Sequence, residues 1–321
     1  MWVDNVYSDF QSVDVGVPQG SILGPLFFLV FYNDLPYILD CELDAYADDS
    51  TLTYTAKSVD EISDKLSNSC DAVSQWMIEN KLKLNTDKTQ ILLTGTSQRL
   101  HRIERNFTVQ MNGTTLMEND QKMAPLLGIY IQSNLKWGKM LHELQLKLKK
   151  RLSGLQKLKN ILPSHKMKLV ADGMFNSVMT YCLPVFGGCD KADINALQVL
   201  QNQAAKLVTK CPPRTRRDFL LNSLKWLSVN QLISYHTLLT SHKVIKSRCP
   251  EYLSLIFDKR TRRNQIILPR TNLELARRSF TLRGPRQWNL LPQSLRNMEN
   301  TGKFKNLLRQ WIFDNIPQFV D

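Results

Sequence analysis

The sequence lacks the paired spacings of a structural zinc site. Its six cysteines form no C-x-x-C and its five histidines no H-E-x-x-H. His236, His242 and Cys249 fall within one short stretch, but without a second cysteine pair they do not make a zinc module. Scattered thiols of this kind read as reduced, which places the chain inside the cell, in nucleus or cytoplasm. Long apolar runs are also missing. The longest, Ile22 to Phe31, is too short to span a bilayer and contains Pro25, so no membrane partner is expected. Asp4 and Asp9 interrupt the region where a secretory signal needs an apolar core, so the chain is not expected to be secreted. There is no internal repeat and no low-complexity tract.

Positive charge is scarce at the front. Residues 1–75 hold 13 Asp and Glu against only Lys57 and Lys65, whereas residues 76–321 hold 40 basic and 16 acidic residues. The whole carries +13 with a pI near 9.5, an excess that points to a polyanion as partner. An acidic front with a basic rear suits a protein that holds cations at one place and phosphates at another. It equally suits a soluble protein with asymmetric solvated faces. The 321 residues are 43% hydrophobic and 22% charged, ordinary for globular chains and enough for two or more compact units.

Residues 1–15 alternate loosely, like short strands turning at Asp4-Asn5. Leu26 to Tyr32 is apolar almost all round and is expected to be a buried helix. Glu42 to Tyr46 and Thr51 to Thr55 read as a hairpin about Asp48-Asp49-Ser50. Ile62, Leu66, Cys70, Val73 and Met77 mark one helix face, with Ser58 and Glu61 as a capping box. Lys88 to Leu93 and Leu126 to Ile131 read as strands, and Asn112-Gly113 as the turn of a hairpin. From Trp137 the texture becomes helical. A leucine stripe runs from Leu141 to Leu158 and on to Ile161, and residues 190–210 and 224–246 look helical as well. The expected order is an α+β unit followed by a helical one.

Chemistry first suggests itself at Ala45-Tyr46-Ala47-Asp48-Asp49. Two adjacent carboxylates at a hairpin tip repel each other unless a divalent cation joins them, and Mg2+ with oxygen ligands suits phosphate chemistry. A plain polar turn has the same composition. Upstream, Gly16-Val17-Pro18-Gln19-Gly20 fixes a tight backbone that can approach a flat ligand. Downstream, Lys88 in Leu84-Asn85-Thr86-Asp87-Lys88-Thr89 can deliver positive charge or a proton to a departing phosphate, or can be a surface lysine.

Taken together, GVPQGSILGP, AYADD, LNTDKT and LLGIYI occur in an order that resembles the reverse transcriptase palm of non-LTR, LINE-type, jockey-like retrotransposons. The segment Arg278-Ser279-Phe280, Gly284-Pro285-Arg286-Gln287-Trp288-Asn289 and Leu291-Pro292 is similar to the tail that follows these domains. The resemblance therefore covers nearly the whole chain. It implies a partial palm, an antiparallel sheet with packed helices, over residues 1–135, an all-α thumb over 136–250 and a helical tail over 251–321. It also implies an RNA-directed DNA polymerase reaction with an RNA template, a DNA primer and dNTPs.

By that resemblance Asp48 and Asp49 are catalytic and hold Mg2+ (or Mn2+). Pro18, Gln19 and Gly20 contact nucleotide and template, Lys88 assists pyrophosphate departure, and Leu126, Leu127 and Gly128 form the primer grip. The family pattern places a further metal-binding aspartate and the fingers several dozen residues ahead of the loop. Only fifteen residues precede Gly16 here, and Asp4, Asp9 and Asp14 fall outside that pattern. The expectation is an incomplete metal site and little or no activity from this chain alone.

The rear is dense in cations. Lys136, Lys139, Lys147, Lys149, Lys150, Arg151, Lys157 and Lys159 stand against Glu143 alone between residues 136 and 160. Of these, Lys139, Lys147, Lys149, Lys150, Arg151 and Lys157 are the candidates for contacts to the nucleic-acid backbone, independent of base sequence and weakened by salt. Lys210, Arg214, Arg216 and Arg217, then Arg260, Arg262 and Arg263, add further clusters. The alternatives are a non-catalytic nucleic-acid-binding remnant and a co-opted interaction protein. Trp226, Trp288 and Trp311 sit among apolar residues and read as core rather than as base-stacking platforms.

Overall fold

The computed structural model describes residues 2–3, 6–7, 16–17, 20–103, 106–261 and 265–315. They divide into two compact units, one comprising residues 1–93 and 97–122 and the other residues 94–96 and 123–321. The architecture is mixed α and β.

The first unit begins with paired two-residue strands, β1 (Trp2–Val3) and β2 (Val6–Tyr7). Helix α1 (Gly24–Tyr32) follows the glycine loop, with Pro25 in its first turn, where a missing N–H costs nothing. Contrary to expectation this helix is mostly exposed: Leu29 is 63% and Val30 69% accessible, and only Gly24 and Tyr32 are buried. Strands β3 (Glu42–Tyr46) and β4 (Asp49–Thr53) pair antiparallel. Helix α2 (Val59–Glu79) buries Cys70, Val73 and Trp76. Ser58 stands at its N-cap position, but its side chain makes no capping bond, so the expected capping box does not form.

The expected strand at Lys88–Leu93 is absent. Thr86–Lys88 is a short 3-10 turn, and no strand follows it before the short helix α3 (Ser97–Leu100). The Asn85 side chain accepts from the Lys88 N–H at 3.2 Å and holds the turn, and farther on the Leu93 N–H donates to the Glu118 carboxylate at 2.6 Å in place of a ladder partner. Strands β5 (Thr108–Met111) and β6 (Thr114–Met117) form the hairpin expected at Asn112-Gly113, where both turn residues take positive φ. One core joins Cys70, Leu93, Phe107, Val109, Met111 and Leu116. Another joins Tyr32, Leu35, Val73 and Trp76, with Leu43 and Leu52 packed on it from the β3–β4 hairpin.

The second unit opens with β7 (Met123–Leu126) and β8 (Ile129–Gln132), paired across a two-residue turn. The single strand expected at Leu126–Ile131 is thus a hairpin. Leu127 continued the apolar pattern and hid the reversal. The four β pairs are separate two-stranded ladders among the described residues, not one continuous palm sheet.

Helix α4 (Gly138–Leu158) buries Leu141, Leu144, Leu148, Leu152 and Leu155, as the stripe requires, while Ile161 beyond its end is exposed. Then come α5 (Ser164–Ala171), a π-turn at Asp172–Asn176, α6 (Ser177–Thr180) and α7 (Leu183–Phe186). Helices α8 (Lys191–Thr209), α9 (Arg217–Leu224) and α10 (Val229–Ser247) add to the same large core. Ser228 and Gln231 cap α10 reciprocally in a true capping box.

The tail motif is packing. Short α11 (Glu251–Ser254) and α12 (Glu274–Arg278) precede α13 (Phe280–Leu290), α14 (Gln293–Arg296) and α15 (Thr301–Asp314). Trp288 of α13 is buried, and Gln287 Nε2 donates to Ser234 Oγ of α10 at 3.1 Å. Asn289 holds both backbone polar groups of Ile266. A Cβ at Gly284 would meet Ser241 Oγ at 3.1 Å and Phe257 Cζ at 3.4 Å, so the glycine lets α13 approach α10. Trp226 is buried too, and Trp311 packs partly buried on the same core.

Candidate catalytic hairpin and nucleic-acid groove

The carboxylates occupy the tip of the β3–β4 hairpin. Tyr46 pairs with Asp49, so the turn is Ala47-Asp48, and Asp49 begins β4. Ala47 takes a left-handed conformation, φ 55°, which a Cβ disfavours by about 1–2 kcal/mol. It therefore belongs to the turn and not to strand β3. Asp48 and Asp49 are both exposed. Underneath, the hydroxyls of Tyr32 and Ser50 are hydrogen-bonded, which ties the end of α1 to the residue after Asp49. Tyr32 is itself held by Trp76, edge to face at 5.6 Å, and stacked on Phe28 at 5.4 Å. An aromatic cluster is thus tied by a hydrogen bond to the residue that follows the exposed acidic pair.

The glycine loop shows why its residues are small. Gly16 and Gly20 have φ 93° and 87°, open to glycine and costly to other residues. A Cβ on Gly24 would lie 2.8 Å from Ser21 Oγ, the atom that accepts the Gly24 N–H at 2.9 Å. Pro18 and Gln19 lie outside the described residues, as do Arg262 and Arg263. Lys88 is exposed in its 3-10 turn within the same compact unit as the carboxylates. No group of three or more His, Cys, Asp and Glu able to hold a metal occurs among the described residues.

Leu126, Leu127 and Gly128 belong to the other unit. Leu126 pairs with Ile129, and Leu127 and Gly128 make the turn with φ 46° and 82°, the signs of a type I′ hairpin. Beside this turn lies a groove of about 640 Å3. Met140 and Leu144 of α4, with Met174 of the π-turn and Val178 of α6, give it an apolar floor. Lys147, Lys150 and Arg151, all exposed, give it a cationic rim. Lys139, Lys149 and Lys157 are exposed on α4 but do not line it. An apolar floor under a positive rim suits a ligand that carries negative charge beside less polar surface.

Sequence reasoning missed Tyr181, Met174 and Val178. Tyr181 Oη donates to the Leu127 carbonyl at 2.6 Å across 54 positions, a contact that leaves no local trace in the sequence. His242 is fully buried. Its Nε2 pairs with the Met298 carbonyl at 3.0 Å, and its ring stacks on Phe304 at 4.0 Å, so it is a core residue.

A family model described as reverse transcriptase (RNA-dependent DNA polymerase) matches residues 3–131, a span that includes the glycine loop, the acidic hairpin, Lys88 and the type I′ turn. A probable RNA-directed DNA polymerase from transposon BS of Drosophila melanogaster is 30% identical over 246 residues, 73% of this chain. The chain belongs to the jockey-like, non-LTR reverse transcriptases. The RNA-directed DNA polymerase from mobile element jockey of Drosophila melanogaster is 24% identical over 236 residues, and that of Drosophila funebris 25% over 261, covering 70% and 74% of this chain. These matches take in 27%, 25% and 27% of the three relatives, so the chain spans about a quarter of their length. No solved structure matches it. No helix among the described residues is long and apolar enough to cross a membrane.

Proposed function

We propose that this chain supplies palm and thumb parts of an RNA-directed DNA polymerase, with the palm over residues 1–135, the thumb over 136–250 and the tail over 251–321. Its partners are an RNA template, a DNA primer and dNTPs. The supporting observation is a pair of adjacent exposed carboxylates at a hairpin tip, inside the segment that the reverse transcriptase model matches. Asp48 and Asp49 offer the hard oxygen donors that Mg2+ takes from polymerase sites, where one or two carboxylates combine with substrate phosphates. When bound, Mg2+ or Mn2+ neutralises developing phosphate charge and favours ionisation of the attacking hydroxyl. The reaction is attack of the primer 3′-hydroxyl on the nucleotide α-phosphorus with release of pyrophosphate. Asp48 and Asp49 would hold the metal ion through their carboxylate oxygens, and it would orient the substrate phosphates. Lys88 supplies charge or a proton to the leaving group, and Gly20 with its neighbours Pro18 and Gln19 lies along nucleotide and template. The groove rim of Lys147, Lys150 and Arg151 takes backbone phosphates, with Lys139, Lys149 and Lys157 on the flanks of α4.

The test is primer extension on an RNA template. Incorporation by the 321-residue chain is expected to depend on Mg2+ or Mn2+ and to be abolished by Asp48→Asn. Incorporation that survives Asp48→Asn contradicts the assignment. The cationic rim of Lys147, Lys150 and Arg151 supports one second reading, a chain that binds nucleic acid without catalysis. Salt-dependent duplex binding with no incorporation under any metal selects it.

A further inference from the structure

Resting on the polymerase reading, we propose that Tyr181 is a positioning residue. Its hydroxyl holds the Leu127-Gly128 turn at the edge of the groove and so sets where the end of a bound primer strand lies. The turn needs outside support. Type I′ geometry favours Asn-Gly or Gly-Gly, because both central residues take positive φ. Here the first is Leu127, a residue with no side-chain hydrogen bond to offset that conformation. Tyr181 Oη donates to the Leu127 carbonyl at 2.6 Å, and its ring packs beside Gly128, where an added Cβ would lie 3.6 Å from the ring.

Burial does not explain the placement, since Tyr181 is 52% exposed. Its own backbone is fixed instead. It ends α6, Cys182 after it is left-handed at φ 53°, and Leu183 then enters the core. Tyr181, Gly128, Ser177 and Val178 line the same groove as Lys147 and Arg151. A phosphate strand held on that rim therefore meets a turn whose position Tyr181 sets.

The 321-residue chain is titrated with an RNA template–DNA primer duplex carrying 2-aminopurine at the primer 3′ end or, separately, at an internal position. Tyr181→Phe keeps the ring and removes the bond. Gly128→Ala keeps the bond donor and strains the turn. Tyr181→Phe is expected to leave duplex affinity, melting temperature and the internal fluorescence response close to those of the unsubstituted chain and to reduce the terminal response several-fold. Gly128→Ala, in the turn itself, is expected to reduce the terminal response by a similar factor with some loss of melting temperature. An unchanged terminal response in both variants overturns the role of Tyr181 and leaves the polymerase reading standing. A parallel loss of melting temperature and of both responses in Tyr181→Phe also overturns it, since the bond would then be merely structural. An unsubstituted chain that shows no salt-dependent duplex binding overturns the polymerase reading, and this proposal with it.

Discussion

Helices α1 and α4 are both rich in large apolar residues, and the structure treats them in opposite ways. In α4 the leucines recur on one stripe and five of them are buried under α5, α8 and the π-turn. In α1 apolar residues lie all round, yet Leu26, Phe27, Leu29 and Val30 are exposed and only the Tyr32 end packs. Hydrophobic content does not bury a helix; a complementary surface does. The α4 stripe finds its partners within residues 123–321, while most of α1 has none among the described residues.

The largest expected break in that comparison comes from single truncations. Leu148→Ala removes a fully buried side chain and is expected to cost about 2–5 kcal/mol, read as a lower urea midpoint for the second unit. Leu29→Ala on α1 is expected to stay within about 0.5 kcal/mol. Equal costs would show that α1 is buried in solution.

Next is thiol reactivity, which maps burial without mutation. Burial pushes the Cys189 thiol up to about 12 and the Cys70 thiol up to about 11, while Cys249 is exposed. Alkylation of the native protein followed by mass spectrometry is expected to label Cys249 first and Cys70 and Cys189 last. Early labelling of Cys189 would mean that its part of the second unit opens readily.

The smallest effect concerns pH. Burial holds His236 and His242 below the ordinary imidazole value of 6.5, so the native state favours their neutral forms. Their stability contribution is full above that value and declines as pH falls toward their native values, because the unfolded chain then binds more protons. The urea midpoint of the second unit is expected to drop on acidification below about pH 6.5, and less steeply in His242→Phe. A midpoint that rises on acidification contradicts the sign.

Elements governed by local rules were legible. Asn112-Gly113, the acidic hairpin and the α4 stripe each follow from neighbouring residues, and the hairpin was misplaced only in that Ala47-Asp48 forms its turn. What failed depended on partners distant in sequence. The Leu93 N–H went to the distant Glu118 side chain and not to a strand ladder, and Leu127 disguised a reversal whose carbonyl Tyr181 holds from 54 residues away. The compact division at 122/123 lies ahead of the helical texture that begins at Trp137 and assigns the β7–β8 hairpin to the helical unit. The candidate carboxylates and cations were legible as residue types. The groove that gathers Lys147, Lys150 and Arg151 but not Lys149 was not, because it depends on how α4 packs.

The most direct test of the account is the salt dependence of RNA–DNA duplex binding, compared between the unsubstituted chain and Lys147→Ala/Lys150→Ala/Arg151→Ala. Each lost phosphate contact lowers the slope of log K against log salt by about 0.9, so the triple variant is expected to lose a slope of about 2 to 3. Identical slopes and affinities in the two proteins would contradict the assignment of this groove to the nucleic-acid backbone.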